Sequence, residues 1–94
     1  MLISTLANNQ FIFTDAQDGK IIFQSYHTVI CEYDIFKKVL LLHGNAYGYS
    51  RTTSKYFNRF LDQLLIDPEV VKKVIKSKIS ASDGAVTIFY KTIK

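Results

Sequence analysis

Near Ser50 the spacing of apolar residues changes, and that change does most to decide what this 94-residue chain can become. Before it, short runs rich in β-branched and aromatic residues alternate with turn residues, as strands do. After it, Tyr56, Phe57, Phe60, Leu61, Leu64 and Leu65 recur at i, i+1, i+4, i+5, i+8 and i+9, which is one broad face of an α-helix. A chain of this length holds one domain with one modest core. Strands first and helices afterwards predict a single α+β domain over residues 1–94, with the helices segregated to one side of an antiparallel sheet.

The strand half reads as Gln10–Thr14 answered by Lys20–Gln24, with Asp18-Gly19 supplying the positive φ of a hairpin loop. Tyr26–Tyr33 follows, then a break at Asp34 and the apolar run Ile35–His43, which fits a buried strand or part of a helix and is read as a strand. Gly44-Asn45 is read as a tight turn leading into a strand Ala46–Tyr49, on which Tyr47 and Tyr49 share a surface. The helical half predicts one helix over 51–65, capped by the Ser50 hydroxyl or a nearby threonine. A second helix over 68–79 starts at Asp67-Pro68-Glu69, which combines an N-cap acceptor, a proline at the first helical position and an acid at the positive dipole end. Its buried side is Val70, Val71, Val74, Ile75 and Ile79. Ser80–Gly84 reads as loop, and Ala85–Lys91 as a strand that rejoins the sheet. The expected fold is thus an antiparallel sheet of about four to six strands, mostly residues 10–49 plus 85–92, packed by two helices.

Composition removes several classes. Hydrophobic residues make up 48% and charged residues 21%, an ordinary globular balance. The longest uncharged apolar run is Val39–Leu42, so no membrane span is expected. The start of the chain has no basic and apolar leader, and the single cysteine, Cys31, suits a reducing compartment; the expected location is the cytoplasm. There is no Gly-rich phosphate loop, nucleophile elbow or zinc-protease helix. His43, Asn45 and Arg51, or Cys31 with His27, lack a third group that orients a base. His27, Cys31 and His43 are too few and too scattered for a structural zinc. No enzyme activity, cofactor or metal is expected.

Charge marks the surface to suspect. Residues 1–50 carry a net charge of −1 and residues 51–94 a net of +5. Arg51, Lys55 and Arg59 recur every four residues and line one side of the first helix, flanked by Asn58. With Tyr47 and Tyr49 they form a basic-aromatic surface, the expected partner-binding site. Lys72, Lys73 and Lys76 of the second helix extend the positive field as a secondary surface. Tyrosine and arginine are what protein hot spots are made of, whereas cations beside aromatic faces also suit phosphates and unstacked bases. A solvated helix face has the same composition.

The segment Tyr49-Ser50-Arg51-Thr52-Thr53-Ser54-Lys55-Tyr56, together with Phe23-Gln24-Ser25-Tyr26-His27-Thr28-Val29-Ile30, resembles short uncharacterised proteins of Gram-positive phages and prophages. The resemblance covers roughly residues 10–65 and transfers no catalytic residue. It implies a phage or mobile-element origin in a bacterial host. The expectation is therefore a non-catalytic inhibitor or modulator of a host or defence complex, of the anti-CRISPR kind. The alternative is an accessory protein that binds DNA or RNA through the basic helix face. Either is expected as a monomer or a homodimer, without a membrane.

Overall fold

The computed structural model describes residues 2–48 and 50–91. Five strands follow one another as a meander: β1 (Leu2–Ala7), β2 (Gln10–Asp15), β3 (Lys20–Ser25), β4 (Thr28–Asp34) and β5 (Val39–Leu42). Two helices follow, α1 (Arg51–Gln63) and α2 (Pro68–Ser77), then β6 (Ala81–Asp83) and β7 (Val86–Tyr90). All seven strands form one sheet in the order β1-β2-β3-β4-β5-β7-β6. Every pairing is antiparallel except β5 with β7, which is parallel because the chain crosses the sheet through the helices before returning. The predicted α+β fold is the observed one. The sheet exceeds the expected strand count, since β1 falls in a segment given no element and β6 in one read as loop.

Register assigns each side chain to a face. Ser4, Ile12, Phe23, Cys31, Leu42 and Tyr90 form one row across the sheet, and Leu2, Thr14, Ile21, Tyr33, Leu40, Ile88 and Ala81 the next. The helices lie on this side, over a core of Phe23, Leu40, Leu42 and Ile88 from the sheet with Phe57, Phe60, Leu61, Val71 and Val74 from the helices. Phe23 stacks on Phe60 at 5.4 Å and on Phe57 at 6.1 Å between ring centres. Such aromatic pairs add to the free energy of area burial. A row of polar groups closes this side, where fully buried Gln10 faces Ser25 in register. The Ser25 and Thr53 hydroxyls meet at 2.9 Å and tie β3 to the start of α1.

The helix ends follow their caps. Ser50 Oγ accepts the Thr53 N–H at 3.0 Å, and Asp67 Oδ1 accepts the Glu69 N–H at 2.9 Å, both as the sequence predicts. The predicted C-termini run too far. Leu65 adopts a left-handed conformation (φ 59°), and the Ile66 N–H returns to the Leu61 carbonyl at 2.9 Å, so α1 stops at Gln63. Leu65 therefore points to solvent, 89% exposed, while Ile66 turns back into the core. Lys78, also left-handed, ends α2 in the same manner and leaves Ile79 69% exposed rather than buried.

The segment Ala46–Gly48 is a single 3-10 turn, not a strand. The Asn45 side chain accepts the Tyr47 N–H at 3.1 Å and its carbonyl accepts the Gly48 N–H at 3.0 Å, which bends the chain before a ladder can form. Ile35–Lys38 is the turn between β4 and β5 and not the first half of a strand, because the Asp34 carboxylate accepts the Phe36 and Lys37 N–H groups at 3.0 Å each.

Candidate binding surface on the helical layer

Because Phe57, Phe60 and Leu61 turn inward, helical geometry turns Arg51, Lys55 and Arg59 outward, and all three are exposed. The same logic in α2 buries Val71, Val74 and Ile75 and exposes Lys72, Lys73 and Lys76. Residues 51–78 hold seven basic and three acidic residues, whereas the rest of the chain holds five of each. The whole excess of positive charge thus belongs to the segment forming the helical layer.

Two tyrosines organise this layer. Tyr56, half-buried on α1, carries Lys55 Nζ at 5.4 Å and the Arg59 guanidinium at 5.2 Å from its ring centre. Tyr47 lies between the helices, tilted against Phe57 at 5.3 Å, with Lys72 Nζ 5.1 Å from its ring centre. Its hydroxyl donates to Asn58 Oδ1 at 2.7 Å. Burial pushes the Tyr47 phenol well above its ordinary range, and the Glu69 charge adds to the effect. A shallow groove of about 400 Å³ runs between Asn58, Arg59 and Asp62 of α1 and Pro68, Glu69 and Lys72 of α2. Lys72 and Glu69 approach to 3.3 Å, an exposed pair worth roughly 0–1 kcal/mol. Among the described residues it is the only ion pair these helical cations make.

The structure therefore brings Asn58, Arg59, Tyr47 and Lys72 together, and Arg51 and Lys55 continue the line along α1. Lys72 belongs with the α1 residues rather than to a separate field. Tyr47 is a half-buried pillar instead of a ring projecting from a strand, because the 3-10 turn delivers it to the interhelical seam. Tyr49 lies outside the described residues. Sequence reasoning placed Tyr56 in the apolar stripe and passed over Asp62 and Glu69. The available signal was Tyr56 three residues before Arg59, the i, i+3 spacing that brings a cation to a ring on a helix.

The remaining polar groups sit elsewhere. Cys31 is fully buried under the helices, and desolvation pushes its thiol far up, which disfavours the thiolate. His27 stands exposed in the β3–β4 turn. His43 Nε2 meets Glu32 Oε2 at 2.6 Å on the opposite side of the sheet from the helices. No group of three or more His, Cys, Asp or Glu side chains is placed to share a metal among the described residues. Among the same residues no helix is long and apolar enough to cross a membrane.

No curated protein and no solved structure matches the chain. A family model does match, over residues 2–81, from the first strand to the start of β6 and across both helices. The chain belongs to that family, DUF8033, a family of unknown function.

Proposed function

We propose that this protein is a non-catalytic binding protein that docks its helical layer on another macromolecule and modulates it. The observation that carries the reading is the make-up of the interhelical groove. Arg59 and Lys72 line it together with Asp62 and Glu69, and each of the two cations rests on a half-buried tyrosine beside the groove, Arg59 on Tyr56 and Lys72 on Tyr47. Ordered aromatic and guanidinium groups contribute contact area at low entropic cost, which suits a hot spot. The interleaved carboxylates favour a protein partner over a bare phosphate track, since each would repel a nucleic-acid backbone. The resemblance to Gram-positive phage and prophage proteins supports a host or defence complex as the target, approached in the manner of an anti-CRISPR protein in a bacterial cytoplasm.

Nucleic acid is the second reading. It is favoured by Arg51, Lys55, Lys73 and Lys76, which are exposed and bound to no carboxylate among the described residues. The two separate by experiment. Binding to single- and double-stranded oligonucleotides is measured at two salt concentrations, and host proteins retained by the wild type are compared with those retained by Arg51→Glu/Lys55→Glu. The expected result is no salt-sensitive oligonucleotide binding, and a retained host protein that the double variant loses with its circular dichroism unchanged. Oligonucleotide binding whose log–log salt slope approaches about −0.7 to −0.9 per phosphate contacted overturns the protein reading in favour of the second.

A further inference from the structure

The turn between β3 and β4 holds a residue that tight turns seldom hold. Ser25 pairs with Thr28, so Tyr26 and His27 form a two-residue hairpin loop. Tyr26, first in that loop, has a φ of 56°. Glycine or asparagine meets this demand readily in tight hairpins, whereas a bulky ring makes the left-handed region a strained one. Among the described residues that adopt a positive φ without being glycine, Tyr26 is the only aromatic. Its neighbours hold it there. The Tyr26 N–H donates to the Asn9 carbonyl at 2.6 Å, and Gln24 Nε2 donates to the Tyr26 carbonyl at 2.9 Å. Strain that surrounding bonds keep in place clusters at binding and catalytic sites. The core does not call for this ring, since Tyr26 is 49% exposed and lies outside the hydrophobic cluster under the helices.

The ring borders a hollow of about 350 Å³ on the side of the sheet away from the helices. Phe11, Phe13 and Tyr26 give it aromatic walls, and Asn9, Gln24 and His27 give it polar ones. Register accounts for the mixture. Phe13 sits in an apolar row between Ile3 and Ile22, and Phe11 in the next row between Thr5 and Gln24, so the hollow straddles the boundary of the two. The Phe11 and Phe13 rings stand 6.2 Å apart, inclined at 35°.

We propose that this hollow binds a neutral heteroaromatic small molecule, a nucleobase or nucleoside in kind, with Tyr26 as one of its walls. Three properties select that class. Three aromatic rings around one hollow favour a planar π-system, because stacking of a base on a ring is itself a source of affinity. Two amides and an imidazole offer donors and acceptors to the polar edge of such a molecule without a fixed charge. No lysine or arginine is among the residues that line the hollow, so nothing there neutralises a phosphate. The volume lies at the lower end of the range for small-molecule sites, which suits one base and not a dinucleotide. The helical layer takes no part in this site.

Titration of adenosine and of uridine into the isotope-labelled full chain, followed by NMR, tests this. Saturable shifts are expected at Phe11, Phe13, Tyr26 and His27 for at least one nucleoside, and its 5′-monophosphate is expected to bind no tighter. Tyr26→Gly is expected to weaken binding at least about fivefold while raising the midpoint of thermal unfolding, because glycine relieves the backbone. Tyr26→Phe keeps the ring and is expected to keep the binding. The absence of saturable shifts at about 10 mM nucleoside overturns the inference, as do shifts confined to the helical layer. Binding of the monophosphate alone overturns the neutral class. A Tyr26→Gly variant that binds like the wild type removes Tyr26 from the site, and one with a lowered midpoint overturns the strain that marks it.

Discussion

The two faces of this one sheet share apolar central rows, but only the outer one flanks its row with charge, and they meet different fates. On the helical side Phe23 is fully buried and stacks on two further phenylalanines; on the other, Phe13 is half-buried with only Phe11 beside it among the aromatic rings described. Hydrophobicity does not separate these two phenylalanines. What separates them is the chain's own supply of cover, since α1 and α2 can shield one side only. The covering layer also carries the positive excess, so the covered side of the sheet ends in a basic surface, while the uncovered side sets one apolar row beside a row holding Asp15, Lys20 and Asp34. Stability resides chiefly on the first side.

The largest test of that contrast compares two phenylalanines. Phe60→Ala empties a site touching Phe23 at the centre of the core and is expected to cost about 3–5 kcal/mol in urea unfolding. Phe13→Ala should cost less than half as much, because solvent already reaches its half-buried ring. Equal costs would show that the outer face is as tightly packed as the inner one.

Alkaline unfolding probes the dryness of the covered side. The Cys31 thiol ionises from an ordinary value of 9.0 when unfolded and is pushed higher by burial when folded. Below pH 9 both states hold the proton and stability is flat. Above it the unfolded state releases the proton first, so stability falls with rising pH, by up to about 1.4 kcal/mol per unit. Tyr47 adds a decline in the same direction above its ordinary value of 10.0. Cys31→Ala should remove the limb that begins near pH 9 and leave the later one. A wild type as stable at pH 10.5 as at pH 8 would mean that water reaches the thiol.

The smallest effect concerns how the cover is fastened. Asp67 caps α2 and its N–H donates to Asp83 Oδ2 of β6 at 2.6 Å, joining the interhelical loop to the sheet. Asp67→Ala is expected to cost about 1 kcal/mol through the cap, with the midpoint of thermal unfolding as the readout. No change would mean that the backbone bond to Asp83 alone holds the joint.

Legibility followed the strength of local signals. The meander from Gln10 to Leu42 and both helix starts could be read because β-branched runs, Asp-Gly and Asp-Pro-Glu each favour one conformation. β1 was not legible: Leu2–Ala7 sets Ser4-Thr5 between two aliphatic pairs, without the alternation that declares a strand, and it forms because β2 offers a ladder. Ala81-Ser82-Asp83 has the composition of a loop and is extended only because β7 pairs with it. For the site, the outward cations followed from helical period. The groove did not, because the packing of α1 against α2 and the placement of Tyr47 depend on contacts between segments distant in sequence.

The parallel pairing of β5 with β7 has a consequence for the order of folding. Each strand of the meander needs only a short turn to reach its neighbour, whereas β7 cannot dock on β5 until residues 43–85 have closed behind it. Loop-closure entropy makes that the costliest contact in the fold, so it belongs late on the route to the native state. The last strand to arrive is also the one that holds β6 in the sheet. A nascent molecule would thus spend its final folding step with the β5 edge open, and the rate at which β7 closes that edge sets how long the edge remains available to a neighbour.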